Sequence, residues 1–279
     1  MTRDPRLTPA RTDLAAEALR GQVEAPRYVQ GHHRVVAEPV VPVRHAPFSV
    51  ASLDTEALLG ESVTVYDQDA EGWSWVQLEA DGYVGYMPSE MLRVPVEPAT
   101  HKVCAPRTFL FPGPDIKMPP LATLPFGARL SVLDGGERFL RLAAGFVFTR
   151  HAVPLDARET DVVEVATRFL GTPYLWGGRS ALGLDCSGLV QTALVACGLD
   201  CPRDSDMQEK ALGLPVPLDG PFQRGDLLFW PGHVALVEDP QTLLHANAFH
   251  MMVAREPLAP ALARIAATTP LRSARRLAV

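Results

Sequence analysis

The strongest local signal in the sequence lies at residues 184–198, which read LDCSGLVQTALVACG. The apolar segment from Cys186 to Cys197 is long enough for a helix, and Gly198 is a typical helix end. Unpaired N–H groups and the helix dipole stabilise a thiolate at the first turn, so we expect a reactive Cys186 with a lowered thiol pKa. The same N–H groups can bind the oxyanion of a tetrahedral intermediate. The alternative is a buried apolar cysteine, the usual role of a free cysteine.

Two histidines follow at positions that suit proton transfer. The segment WPGHV at residues 230–234 places His233 directly after a tight turn, at the first position of an apolar strand. His245 lies in the next predicted strand. If these strands pair antiparallel through a short turn at residues 238–240, His245 lies close to His233 and can orient it as a general base. Taken singly, each histidine is more often a hydrogen-bonded structural residue.

The region around these residues combines helices with strands. Residues 162–170 have helical periodicity, and the sequence GTP that follows them ends the pattern. Three apolar strands are predicted at residues 226–230, 233–237 and 242–246. Helices followed by an antiparallel sheet indicate an α+β domain, which we assign to residues 158–279.

The preceding residues predict small all-β modules. Residues 48–97 contain short alternating strands separated by turn signals, which indicates a first small β-barrel. Residues 98–157 look like a diverged second copy and therefore a second barrel. Residues 1–47 are assigned to an N-terminal leader, with a short helix at residues 12–21 and extended, proline-punctuated chain at residues 35–47.

Composition excludes several classes of protein. Of 279 residues, 47% are hydrophobic and 21% are charged, which is globular rather than disordered or fibrous composition. The formal net charge of −6 argues against a dedicated nucleic-acid-binding protein, because such proteins usually carry a basic balance. No apolar run reaches the roughly 18 residues of a membrane helix, and no signal peptide is evident at the amino terminus. We therefore expect a cytoplasmic protein with neither a membrane nor a nucleic-acid partner.

Cysteine usage also limits the possibilities. Four cysteines are too few for a disulfide scaffold in a chain of this length. No second Cys or His pair accompanies Cys197 and Cys201 at zinc-finger spacing, so we expect no metal site. A redox role for these two cysteines is a weak alternative, because they lack the Cys-x-x-Cys spacing.

An ordered series of motifs between about residues 160 and 255 resembles the NlpC/P60 cysteine peptidases. The motifs are GTPYLWGG at 171–178, LDCSGLV at 184–190, RDS at 203–205, RGDLLF at 224–229, GHVALV at 232–237 and HA at 245–246. The resemblance implies a reduced papain-like core and no cofactor, with Cys186 as nucleophile, His233 as base and His245 as the residue that orients the base. It implies that Tyr174 faces the nucleophile, where its hydroxyl and the Cys186 backbone N–H bind the oxyanion. Trp176 is expected among the substrate-binding residues.

The whole layout, a leader and two barrels that resemble bacterial SH3-type domains ahead of the peptidase, looks like that of γ-D-glutamyl-L-diamino acid endopeptidases. Such enzymes cleave murein tripeptides or tetrapeptides, L-Ala-γ-D-Glu-diamino acid, that have a free amino terminus. The resemblance implies that Arg203, Asp204 and Ser205 bind substrate, with the Asp204 carboxylate facing the alanine ammonium. The alternative for Asp204 is a surface acid that caps the next helix. In the second barrel, Phe109 and Phe111 stand near the position where the family usually has a tyrosine.

Other readings stay open at this point. The same core can support amidase or acyltransferase chemistry, and a catalytically inert wall-binding module is a further alternative. Glu79, Asp81 and Tyr83 of the first barrel are candidates to complete the alanine pocket. The preferred diamino acid and the oligomeric state are not predicted.

Overall fold

Short strands dominate the computed structural model of this protein, which describes residues 3–277. The chain divides into two units, Met1–Ala157 and Arg158–Val279. The first unit consists of strands and short 3₁₀ turns, whereas the second combines α-helices with an antiparallel sheet. The predicted α+β class is confirmed.

The first unit contains seventeen strands among its described residues. They are β1 (Ala15–Ala16), β2 (Tyr28–Val29), β3 (His32–Val36), β4 (Val40–Arg44), β5 (Leu53–Leu58), β6 (Ser62–Gln68), β7 (Trp73–Leu78), β8 (Val84–Pro88), β9 (Leu92–Arg93), β10 (His101–Val103), β11 (Arg107–Phe111), β12 (Ala122–Pro125), β13 (Arg129–Leu130), β14 (Val132–Gly135), β15 (Phe139–Leu142), β16 (Gly145–Phe148) and β17 (Ala152–Pro154). Single 3₁₀ turns lie at Glu17–Leu19, Ser89–Met91 and Thr149–His151.

The first large sheet of this unit has seven strands in the order β5-β4-β8-β7-β6-β3-β9. Its alternating apolar residues, such as Val41, Val63 and Val76, are fully buried in one core. Strands β3 and β4 come from residues assigned above to the leader, so this sheet includes residues that precede residue 48. The extended chain expected at residues 35–47 is observed here as β4. Pro42 is tolerated because β4 pairs with β8 only at Arg44 opposite Tyr86, beyond the proline.

Residues 98–157 form two further small sheets, in the orders β13-β10-β17 and β12-β11-β16-β15-β14. Leu124, Leu130 and Val147 are buried in their shared core. The β character expected for this region is therefore observed.

The helix predicted at residues 12–21 is wrong. The segment instead contains β1, paired parallel with β2, followed by the 3₁₀ turn Glu17–Leu19. Ala15, Ala16 and Leu19 form a small buried cluster. Helix propensity is a weak preference of a few tenths of a kcal/mol per residue, so burial of this apolar segment outweighs it.

The second unit contains four α-helices and eight strands among its described residues. They are α1 (Val162–Thr167), β18 (Arg179–Ser180), β19 (Gly183–Leu184), α2 (Cys186–Ala196), α3 (Ser205–Ala211), β20 (Leu214–Val216), β21 (Leu227–Trp230), β22 (His233–Asp239), β23 (Thr242–Asn247), β24 (Met252–Pro257), α4 (Leu258–Ala266) and β25 (Ser273–Arg276). The sheet order is β20-β25-β21-β22-β23-β24, apart from the small hairpin β18-β19.

The predicted helix after Cys186 and the three predicted strands are confirmed as α2, β21, β22 and β23. Helix α2 packs against β22 and β23. Helix α4 packs residues such as Leu262 on an apolar sheet face that includes Trp230 and Val237. The sheet therefore carries the first residue of β22 toward the first residue of α2.

Candidate active site

Helix α2 begins at a buried carboxylate. Asp185 is the N-cap, and its Oδ1 accepts the N–H of Gly188 at 2.6 Å while Oδ2 accepts the N–H of Gly177 at 2.8 Å. Arg203 donates to both carboxylate oxygens, at 2.9 and 2.7 Å, and to the Ser187 hydroxyl at 2.9 Å. This network fixes the first turn of α2, and with it the position of the next residue in the chain.

Cys186 is that residue, and it is only 6% exposed. Burial, and after it the negative charge of Asp185, raises the pKa of the Cys186 thiol to about 12. Backbone N–H groups of Val234 and Ser187 stabilise the thiolate but do not outweigh burial. The expectation of a lowered thiol pKa is therefore wrong in direction, because desolvation exceeds the helix-terminus effect. The contact with Val234 places the sulfur beside the start of β22.

His233 and His245 meet as their antiparallel strands predict. His233 Nε2 lies 2.9 Å from His245 Nδ1. The register of β22 with β23 begins at Leu236 opposite Leu244, so His233 lies where the two strands open. Burial lowers the pKa of His233 to about 3 and also lowers the pKa of His245, so both rings are neutral at neutral pH.

Glu256 belongs to the same cluster, although no sequence pattern predicts it. Its Oε1 lies 3.1 Å from His245 Nε2, and Arg264 of α4 donates to the same carboxylate at 2.6 Å. In the sequence Glu256 stands between an arginine and a proline, which is typical of a solvated strand end. Only the pairing of β23 with β24 identifies it as a neighbour of His245.

Tyr174 lies near the nucleophile. Its backbone N–H donates to Met251 O at 2.9 Å, and a parallel bridge joins it to Leu184, two residues before Cys186. Burial, and then the charge of Cys186, raises the pKa of the Tyr174 phenol, which keeps its hydroxyl protonated as a hydrogen-bond donor. Trp176 is 67% exposed and offers an aromatic surface to solvent.

The segment after α2 separates into two kinds of residue. Arg203 is 1% exposed, and its guanidinium donates to Asp185 and Ser187. It is therefore buried against the first turn of α2 and not on an open surface. Asp204 and Ser205 are half-buried at the start of α3. Asp204 is the N-cap residue of α3, as its alternative role requires, although its side chain makes no cap hydrogen bond to the helix.

Two observations concern other kinds of site. Within residues 3–277, no group of three or more His, Cys, Asp or Glu side chains is arranged to hold a metal ion. Across the same residues, no helix is both long enough and apolar enough to cross a bilayer. The start of α2 thus combines a buried thiol that contacts the Val234 and Ser187 N–H groups with a neutral imidazole pair that begins one residue before Val234, and Tyr174 interacts with the same thiol. Such a set of groups suits acyl transfer by covalent catalysis.

Comparison with known proteins gives two matches to family descriptions. Residues 171–262 match the NlpC/P60 family, and residues 43–92 match the bacterial dipeptidyl-peptidase Sh3 domain. The first match contains Cys186, His233, His245 and Glu256. The second lies within the seven-stranded sheet.

Several known proteins are also similar to a large part of the chain. The chain is 29% identical over 241 residues to a γ-D-glutamyl-L-lysine dipeptidyl-peptidase of Bacillus cereus, which covers 74% of this chain and 71% of that protein. It is 33% identical over 202 residues to the protein of the same name from Bacillus subtilis, with 64% of each chain covered. A crystal structure of an NlpC/P60 family protein from Bacillus cereus superposes with a TM-score of 0.74 at 24% identity, over 88% of this chain and 99% of that one. This last similarity concerns the fold.

Proposed function

Because the chain combines an NlpC/P60 domain with a bacterial SH3 domain, we propose that it is a cysteine endopeptidase of murein peptides. The bond cleaved is that between γ-D-Glu and the following diamino acid. The observation that carries the proposal is the cluster at the start of α2, where the Cys186 sulfur contacts the Val234 N–H and His233 binds His245 at 2.9 Å. The two Bacillus relatives support the class of bond, because both are named for γ-D-glutamyl-L-lysine peptides.

The proposed reaction begins with a neutral thiol and a neutral imidazole. Cys186 attacks the γ-carbonyl carbon as its proton passes to His233, and the backbone N–H of Cys186 and the Tyr174 hydroxyl bind the oxyanion. His233 then gives the proton to the departing amine, which leaves a thioester on Cys186. Water adds to the thioester with His233 again as base, and L-Ala-D-Glu is released.

The substrate proposed here carries a free amino-terminal L-Ala. Asp204 is the candidate carboxylate for that ammonium, and its half-buried position at the start of α3 makes a charge-assisted hydrogen bond possible. Ser205 and Trp176 are proposed to contact the same peptide. Arg203 contributes by holding Asp185 and the first turn of α2.

A requirement for a free amine has a consequence for the place of the reaction. In intact murein the L-Ala amine is acylated, so an amide-cleaving reaction must supply this substrate. We therefore assign the enzyme to the recycling of released murein peptides, inside the cell, and not to cleavage of the intact wall.

Replacement of the nucleophile tests the reaction. Cys186→Ala should lower the release of L-Ala-D-Glu from the free tripeptide by at least about 10⁴-fold, because the covalent step is lost. Products are identified by mass spectrometry with peptides that contain L-Lys or meso-diaminopimelate. Release at the wild-type rate by the variant contradicts the assignment, and product formation only with a second amine acceptor indicates an acyltransferase.

Replacement of Asp204 tests recognition of the amine. Asp204→Asn should raise KM for the free tripeptide roughly 10- to 100-fold, since a charge-assisted hydrogen bond is worth about 1.5–3 kcal/mol. KM for the N-acetylated tripeptide should not change. The matched control is Asp206→Asn. Asp206 lies two residues after Asp204, in the first turn of α3, and its carboxylate pairs with Lys210 at 3.4 Å. Equal effects of Asp204→Asn on both peptides exclude the proposed role.

A further inference from the structure

We propose that Glu256 is a positioning residue which sets the tautomers of His245 and His233, so that His233 Nδ1 is the nitrogen without a proton. The proposal rests on the proposed function, because it assigns His233 as the base for the Cys186 thiol. It extends the cluster by one member that acts through His245.

The side chain of Glu256 contacts three groups that can donate hydrogen bonds to it. Glu256 lies on β24 and is 7% exposed. Its Oε1 is 3.1 Å from His245 Nε2 and 3.3 Å from His250 Nδ1. One nitrogen of Arg264, Nη2, donates to Oε1 at 2.6 Å and to Oε2 at 2.8 Å. These three cationic or potentially cationic side chains surround the carboxylate.

The carboxylate stays charged despite its burial. Burial alone favours the protonated acid, but hydrogen bonds from Arg264 and then His245 outweigh it, so the pKa of Glu256 is lowered. The Arg264 guanidinium is itself held, because it stacks over the Phe249 ring at 4.1 Å from the centroid. A charged carboxylate can only accept hydrogen bonds.

The protons of the two histidines follow from this. Since Glu256 only accepts, His245 must carry its proton on Nε2, and a neutral His245 then has a bare Nδ1. This bare Nδ1 accepts at 2.9 Å from His233, which must therefore carry its proton on Nε2. A neutral His233 protonated on Nε2 has a bare Nδ1, and this nitrogen can receive the thiol proton.

We expect a glutamine at this position to reverse the donor and acceptor roles along the hydrogen bonds that join Glu256, His245 and His233. Arg264 Nη2 reaches both oxygen positions, at 2.6 and 2.8 Å. We expect the glutamine oxygen to take the Oε2 position beside Arg264 and the NH₂ to take the Oε1 position, where it donates to His245 Nε2. His245 then carries its proton on Nδ1 and donates to His233 Nε2. The proton of His233 moves to Nδ1, and the base for the thiol is lost.

The first experiment reads the tautomers directly in the full chain. Long-range ¹H–¹⁵N spectra of the imidazole rings at neutral pH distinguish Nε2–H from Nδ1–H, with His233 and His245 assigned from spectra of His233→Asn and His245→Asn. Wild-type protein should show Nε2–H for both rings, and Glu256→Gln should show Nδ1–H for both. Nδ1–H on His245 in the wild type, or unchanged tautomers in Glu256→Gln, overturns the proposal.

The second experiment measures the effect on hydrolysis of the free tripeptide. Loss of the acid that directly orients the base of a catalytic triad lowers kcat about 10⁴-fold, because the base then has the wrong tautomer. Glu256 acts on His233 only through the ring of His245. We therefore expect Glu256→Gln to lower kcat by about 10²-fold. KM should stay within about twofold. The matched control is Glu238→Gln, a carboxylate of the same sheet that pairs with exposed Arg255 at 2.6 Å and touches no histidine of the cluster. The control should keep wild-type kcat, and wild-type kcat in Glu256→Gln overturns the proposal.

Folding is separated from positioning by a double variant. Glu256→Gln leaves Arg264 without its carboxylate, whereas Glu256→Gln/Arg264→Gln removes both charges and keeps hydrogen-bonding side chains. The double variant should also lose kcat, because a neutral amide can donate as well as accept and no longer fixes one tautomer of His245. Full activity with wild-type tautomers in the double variant overturns the proposal. The spectra need no substrate. Correct wild-type tautomers without peptide hydrolysis would therefore contradict the proposed function alone.

Discussion

At the scale of single residues, Cys186 and His233 are both neutral, and the residue after His233 in β22 contacts the Cys186 sulfur. Burial raises the pKa of the thiol to about 12 and lowers the pKa of the imidazole to about 3, so charge separation is unfavourable before substrate binds. Proton transfer is then coupled to attack on the carbonyl carbon, and the donors around the sulfur act mainly on the charge that develops. The role of the helix terminus is thus to stabilise the transition state more than the resting thiolate.

The pH dependence of activity follows from the neutral base. His233 must be unprotonated to accept the thiol proton, and its lowered pKa keeps it so well below the ordinary imidazole value of about 6.5. The acid limb of kcat/KM should therefore have its midpoint below 6.5, displaced toward 3. Peptide hydrolysis measured between about pH 4 and pH 8, with the fold followed by circular dichroism, checks this. A midpoint at or above 6.5 in folded protein contradicts it.

At the scale of elements, α1 and α2 begin in the same way but in different surroundings. Asp161 caps α1 by accepting the N–H of Val163 at 2.8 Å, and Arg224 pairs with it at the surface. Asp185 caps α2, and its arginine, Arg203, is buried with it. Exposed ion pairs contribute about 0–1 kcal/mol, whereas removing one member of a buried pair costs about 3–5 kcal/mol.

The two caps therefore predict unequal effects of the same substitution. Arg203→Met leaves the Asp185 carboxylate buried without its cation and should reduce the local stability of α2 by about 3–5 kcal/mol. Arg224→Met is the matched control and should change α1 by less than about 1 kcal/mol. Amide hydrogen exchange, measured for α1 and α2 in each of the two variants, gives both effects. Similar changes in α1 and α2 would contradict the unequal roles of the two arginines.

At the scale of the whole molecule, local patterns predicted the second unit well. The helix after Cys186 and the strands that carry His233 and His245 follow from periodicity and turn residues, and the short turn between the strands brings the histidines together. Glu256 was missed because a charged residue beside a proline gives no periodic signal, and only the strand register reveals its neighbour. Arg203 shows the same limit, since nothing in its local sequence indicates burial.

The first unit shows where local patterns fail. Residues 32–44 lie within the predicted leader at residues 1–47, yet they supply two strands to the seven-stranded sheet. The assignment of residues 98–157 to a second SH3-type barrel stays a prediction, as do the proposed domain boundaries. Sheet membership depends on residues far apart in the chain, and this information is absent from a short window.

The enclosure of Cys186 has a consequence for the survival of the protein. Alkylating agents and peroxides react with an accessible thiolate, whereas Cys186 is protonated at rest and only 6% exposed. Its surroundings therefore slow the oxidation of the thiol to sulfenic acid. The same burial that makes the resting thiol a weak nucleophile thus preserves it in the reduced form that the proposed reaction needs.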